Sequence, residues 1–123
     1  GPRDFANHHG GVVLVGDHLY GGHGTNLGDP VCLALATGKV SWKSRSPARG
    51  SACVLYADGH LLFRYDRGDV VLVEASPAEF RVKGRFRPLT GAGPAWAHPV
   101  IHRGKLYLRH DDLLSCYDVR AYD

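Results

Sequence analysis

Apolar residues come in short bursts along this chain and never in a long run. Val12–Val15, Val31–Ala36, Ala52–Tyr56 and Val70–Val73 are representative, and small turn-forming pairs separate such bursts: Gly16-Asp17, Thr37-Gly38, Asp58-Gly59, Arg67-Gly68 and Arg103-Gly104. Gly adopts the positive φ of tight hairpin turns at no steric cost, and Asp tolerates it. No stretch carries the helical period of about 3.6 residues, so the pattern is one of strands. It predicts eleven of them: Val12–Val15, His18–Gly22, Val31–Ala36, Lys39–Arg45, Ala52–Tyr56, His60–Tyr65, Val70–Glu74, Phe80–Arg87, His98–His102, Lys105–Arg109 and Leu113–Val119.

The strands repeat as a set. "GDHLYGGHG", "DGHLLFRYD" and "RGKLYLRHD" align on His18, His60 and Lys105, at spacings of 42 and 45 residues. A second landmark, "VCLALATGK", "VLVEASPAE" and "SCYDVRAYD", aligns on Cys32, Leu72 and Cys116, at spacings of 40 and 44. Two landmarks with nearly equal periods indicate an internal repeat. Four short antiparallel strands per repeat of about 40–45 residues is the pattern of a β-propeller blade. The fold class expected is therefore all-β and propeller-type, with three consecutive four-stranded blades, the last lacking its outer strand. As one partial propeller over 1–123, the blades cover about 9–47, about 48–90 and about 95–120. A blade buries its faces against its neighbours, so one blade alone is not expected to be stable.

Thr37, Gly38 and Lys39 form the turn before the outer strand of the first repeat, and Trp42 sits within that strand among polar residues. A large ring on a polar edge is expected to dock on the adjacent blade, with its indole N–H bonded there. Leu33, Thr37-Gly38-Lys39 and Trp42 resemble the docking motif of pyrroloquinoline-quinone-like β-propeller repeats. That family includes quinoprotein dehydrogenases and many non-enzymatic bacterial envelope proteins. The resemblance covers about residues 9–120. It departs at Ala34, where such repeats usually carry Asp; Glu74 and Asp118 keep an acid there. The second repeat has Ser76-Pro77-Ala78-Glu79 at the turn and no tryptophan, leaving Val82 or Phe86 to stand in.

Closed propellers have about four to eight blades, and here the strand count is four, four and three. Only Arg3–Phe5 could add a scrap of strand at the amino end. The chain is thus expected to be the carboxyl-terminal part of a longer propeller, or a unit that closes a ring with copies of itself. Two copies would give six blades, so a homodimer is the favoured assembly. Gly1-Pro2 resembles the scar of a tag-removing protease, which would place the natural start upstream.

Composition narrows the function classes. The chain has 123 residues, 44% hydrophobic and 22% charged, as expected of one globular domain. A net charge of +3 is too small to indicate nucleic-acid binding. The basic strand "FRVKGRFR" places Arg81, Lys83, Arg85 and Arg87 on one face at a period of two, but its aromatics face the other way. Outward cations that block edge pairing are the plainer reading. No apolar run is long enough for a membrane-spanning helix. Cys32, Cys53 and Cys116 have no CxxC spacing and read as small buried apolar side chains.

Eight histidines are more than usual. His9, Ser51 and Trp96 are equivalent in the repeat, as are Gly11, Cys53 and His98, and all six precede or open the innermost strands. His9 and His98 are the candidate ligands for a divalent metal, since neutral imidazole suits Zn, Cu or Ni. No paired spacing fixes their geometry, so a structural or solvent-facing role is the plainer reading. Asp111-Asp112 beside His110, and the oxygen-rich loop Gly24–Pro30, read as solvated turns.

No nucleophile–base pair and no Gly-rich phosphate loop is identifiable. The resemblance implies that a quinone enzyme would need adjacent cysteines and a Ca²⁺ site. The cysteine pair is missing, so a quinone cofactor is not expected in this chain alone. The expected function is a non-catalytic binding or scaffold module, with itself or the missing blades of a longer chain as partner. The alternatives are the carboxyl-terminal part of a quinone-dependent oxidoreductase and an engineered or excised repeat fragment. A periplasmic or secreted setting follows from the resemblance alone.

Overall fold

Short alternating bursts joined by two-residue turns can satisfy their backbone groups only by pairing with their neighbours in sequence. That is the arrangement in the computed structural model, which describes residues 1–121; Tyr122 and Asp123, the end of the third landmark, lie outside them. The described residues contain no helix. Sheet 1 holds β1 (Val12–Val15), β2 (His18–His23), β3 (Asp29–Ala34) and β4 (Val40–Lys43) in that order. Sheet 2 repeats the order with β5 (Ala52–Ala57), β6 (His60–Tyr65), β7 (Val70–Glu74) and β8 (Val82–Phe86). Sheet 3 has three strands, β9 (Val100–His102), β10 (Lys105–His110) and β11 (Leu113–Asp118). Every pairing is antiparallel, with a register shift between Cys32 and Leu33 in sheet 1 and at the equivalent Leu72 and Val73 in sheet 2.

The turns explain the tight connections. At β5–β6 both turn residues are left-handed, Asp58 with φ 48° and Gly59 with φ 75°; at β9–β10 Arg103 and Gly104 do the same with 49° and 75°. Two consecutive positive φ values match the twist of the flanking strands in a two-residue hairpin.

Strand ends differ from the sequence expectation for local reasons. β3 begins earlier, at Asp29, and Pro30 near its start is tolerated there. It stops at Ala34, because Leu35 turns its N–H to the Asp17 carbonyl. β9 begins at Val100 rather than His98, since Pro99 has no N–H for the ladder. β8 begins at Val82, because Phe80 leaves the strand to pack against the Trp42 ring at 5.4 Å. Arg3–Phe5 does not form a strand. The Asp4 and Phe5 amides both fold back onto the Gly1 carbonyl, and the Phe5 ring lies against Gly21 on the outer face of sheet 1.

Two apolar layers hold the sheets together. Tyr20 and Cys32 of sheet 1 meet Val54, Leu61, Phe63, Tyr65, Val71 and Val73 of sheet 2, with Trp42, Val13 and Phe80 packed around them. The opposite face of sheet 2 meets sheet 3 through Leu62, Val70, Leu106 and Leu108, flanked by Ile101 and Tyr117. The first layer is much the larger. Trp42 is half-buried at its rim, and its indole Nε1 donates to the Ser76 carbonyl of sheet 2 at 2.7 Å.

Trp42→Ala is expected to cost about 3 kcal/mol, through lost burial and an orphaned carbonyl; denaturant unfolding reads it, and a loss under about 1 kcal/mol would contradict this role. A second expectation concerns the amino-terminal segment. Ala6 N–H donates to His23 Nδ1 at 3.0 Å, which requires that nitrogen unprotonated. Burial, then Lys43, lowers the His23 pKa from its ordinary 6.5, opposed by Asp29 and Asp4. The unfolded chain therefore takes the proton more readily, and the stabilisation present above about pH 6.5 is lost as pH falls. Melting curves should show less acid sensitivity in His23→Gln than in the parent between about pH 7 and pH 5; parallel curves would contradict the assignment.

Candidate functional site

The segments leading into β1, β5 and β9 come together, and the equivalence of residues 9, 51 and 96 along the chain becomes spatial proximity. The His9 ring stacks on Trp96 with centroids 5.1 Å apart, and the His8 ring meets His9 edge-on at 4.1 Å. His8 Nδ1 and Ser51 Oγ form a 2.7 Å hydrogen bond, and Ser51 Oγ also accepts the Asn26 N–H. Asn7 ties the segment to sheet 1, donating to the Gly22 carbonyl and accepting from Gly11 N–H. A side chain at Gly10 would meet the Ala52 carbonyl oxygen at 1.8 Å, so only glycine permits this close approach. His9 itself holds a left-handed φ of 65°, an uncommon conformation for a residue with a Cβ.

Beneath this aromatic cover lies Arg64. It is on β6 opposite Cys53, and is 1% exposed. Its Nε, Nη1 and Nη2 make no hydrogen bond among the described residues, and neither does Oδ1 of the buried Asp66. Asp66 uses its other oxygen to accept Ser51 N–H at 3.3 Å, and its backbone carbonyl accepts Ala95 N–H. Arg64 and Asp66 line a 10 Å³ cavity together with His9, Ser51 and Trp96, about the space for one water molecule. Burial pulls the guanidinium below its ordinary value. It also pushes the neighbouring Cys53 thiol up to about 11, so this cysteine is a protonated, inert side chain at neutral pH rather than a nucleophile.

His98 lies beside Gly11, its Cε1 3.9 Å from the position a Cβ would take there. His9 and His98 therefore approach the same corner of the molecule. Among the described residues no group of three His, Cys, Asp or Glu is placed to hold a metal ion, whereas a structural zinc needs four ligands and a catalytic one three from the protein. Of the residues singled out at the Thr-Gly-Lys turn, Trp42 reaches the neighbouring sheet. Thr37, Gly38 and Lys39 are exposed; Thr37 Oγ1 accepts Lys39 N–H, and Gly38 has φ 70°. Asp111 and Asp112 occupy the exposed β10–β11 turn. In the basic strand, Arg81 pairs with Glu74 and Glu79, and Arg87 with Asp69.

A second cleft, of 740 Å³, brings Arg45, Arg49, Arg67 and Arg87 together with Asp29 and Asp69. These arginines come from three separate segments, Arg45 and Arg49 from the β4–β5 connection, Arg67 from the β6–β7 turn and Arg87 from just past β8, and their spacing along the chain carries no signal of the convergence. No family model matches this chain, and no curated protein matches it. No described helix is long and apolar enough to cross a membrane.

An unpaired buried guanidinium opposes folding unless it is hydrogen-bonded. Arg64→Met keeps most of the side-chain volume and removes the charge, so it is expected to leave stability unchanged or raise it by about 1 kcal/mol. A loss of more than about 2 kcal/mol in urea unfolding would show that the guanidinium holds a partner that stabilises the fold.

Proposed function

We propose that the three sheets are consecutive blades of a β-propeller of the pyrroloquinoline-quinone-like repeat type. In this reading the chain is a non-catalytic binding and scaffold module, completed by a second copy of itself or by further blades. The observation that carries the reading is the repeated sheet geometry: two four-stranded sheets with the same strand order and the same register shift, joined to each other through Trp42 and Ser76. Support for completion comes from the outward faces. Val12 and Leu14 are exposed on sheet 1, and Val100 and Leu114 on sheet 3, Leu114 at 71%. Phe5 covers only part of the sheet 1 face. The site where the segments leading into β1, β5 and β9 meet supports binding rather than catalysis, since the stacked His9 and Trp96 offer a recognition surface without an activated nucleophile. A periplasmic or secreted setting belongs to the same proposal through the family resemblance.

Covering a few hundred Å² of apolar surface per face, at about 25 cal/mol per Å², drives association against its entropic cost. The geometry favours a closed twofold ring of six sheets. Sedimentation equilibrium should therefore show a dimer at about 100 µM, and Leu114→Lys should shift it toward monomer. A folded monomer at that concentration would overturn self-completion.

A further inference from the structure

The two sheet–sheet interfaces are equivalent in backbone but not in filling. In sheet 1, Trp42 pairs with Cys32 immediately before the register shift. In sheet 2 the residue at that place is Gly84, which pairs with Leu72 immediately before the same shift. Tyr20, whose ring lies 6.0 Å from that of Trp42, corresponds to Leu62. At these two positions the second interface therefore has glycine and leucine where the first has an indole and a phenol, and its own phenol, Tyr117, packs elsewhere in the layer.

The space is real. A Cβ on Gly84 would meet no atom within 4 Å. A 780 Å³ cleft opens there, lined by Leu62, Leu72 and Phe86 of sheet 2 and by Ile101, Leu106 and Val119 on the sheet 3 side. It is the outward continuation of the apolar layer between those sheets. Phe86, two residues along, turns its ring against Tyr117 at 5.2 Å and walls the cleft without filling it. The rim carries both signs of charge, including Asp58 and Arg85, which favours a neutral occupant over an ion.

The geometry points to a binding site here for a neutral, planar, indole-sized heteroaromatic compound. The ligand takes the place that Trp42 occupies one interface earlier, sandwiched between two sheets and flanked by aliphatic side chains. The burial of apolar area drives binding, and the walls are preformed on strands. The site stands on the packing of sheets 2 and 3.

Indole itself is the probe. Titrated into the intact chain, it should bind saturably with a dissociation constant near or below about 1 mM. It should also shift the methyl resonances of Leu62, Ile101 and Leu106. Gly84→Trp should fill the cleft from within, raise the melting temperature and weaken indole binding at least tenfold. Gly84 has an ordinary φ and open space around it, so this variant is expected to fold; the methyl shifts of the parent chain test the site without any variant. Absence of saturable binding up to the solubility of indole would overturn the proposal. So would binding that Gly84→Trp leaves intact, which would place the ligand elsewhere. A dimer that dissociates in Gly84→Trp, with no indole binding in the parent, would assign the cleft to a second copy and also overturn it.

Discussion

The wedging of one indole ring between two sheets organises this molecule. Neither sheet can bury its apolar face alone, and each exposes ladder edges and side chains that water does not solvate well. Trp42 joins them by two means. Its ring extends the apolar layer between Tyr20 and Phe80, and its N–H satisfies a carbonyl at the end of the neighbouring sheet. The hydrogen bond fixes direction where hydrophobic burial alone would not. The consequence is a well-filled first interface. The second, built on the same backbone plan with glycine at the corresponding position, has a smaller buried layer and an adjoining cleft.

Polar groups around Arg64 show a different balance. The approach of the amino-terminal segment to β5 brings His8, His9 and Ser51 over Arg64 and excludes bulk water from the guanidinium. Such burial costs stability, so the fold carries this guanidinium at the expense of the energy that its apolar layers supply. The stacked His9 and Trp96 rings lie over it, and Trp96 remains 56% exposed.

Much of the architecture was legible from alternation and turn chemistry. All eleven strands of the described residues overlap the bursts that predicted them, with ends displaced by no more than two residues, because two-residue hairpins with Gly leave little freedom in register. The proximity of residues 9 and 96 was also legible, since repeat equivalence places them at the same point of successive sheets. Other features were not. Arg64 sits in an apolar strand, and nothing local indicates that its long side chain cannot reach water. Its inward-facing register beside Cys53 was the available signal. The cover provided by Phe5 was invisible, because the segment is held by backbone turns and by His23, 17 residues beyond Ala6. The Gly84 cleft was hidden for an instructive reason. The second repeat has no tryptophan in its outer strand, but an absent side chain indicates a cavity only once the register shift shows that Gly84 replaces it.

The central claim is that two equivalent interfaces differ in strength because one holds an indole and the other does not. Native-state hydrogen exchange tests this most directly, since it reads the opening energy of each strand separately. The account predicts that β10 and β11 amides exchange through a partial opening that leaves β2, β3, β6 and β7 protected, with these four strands opening together at higher energy. Equal protection across all three sheets, or earlier opening of sheet 1 from sheet 2, would contradict it.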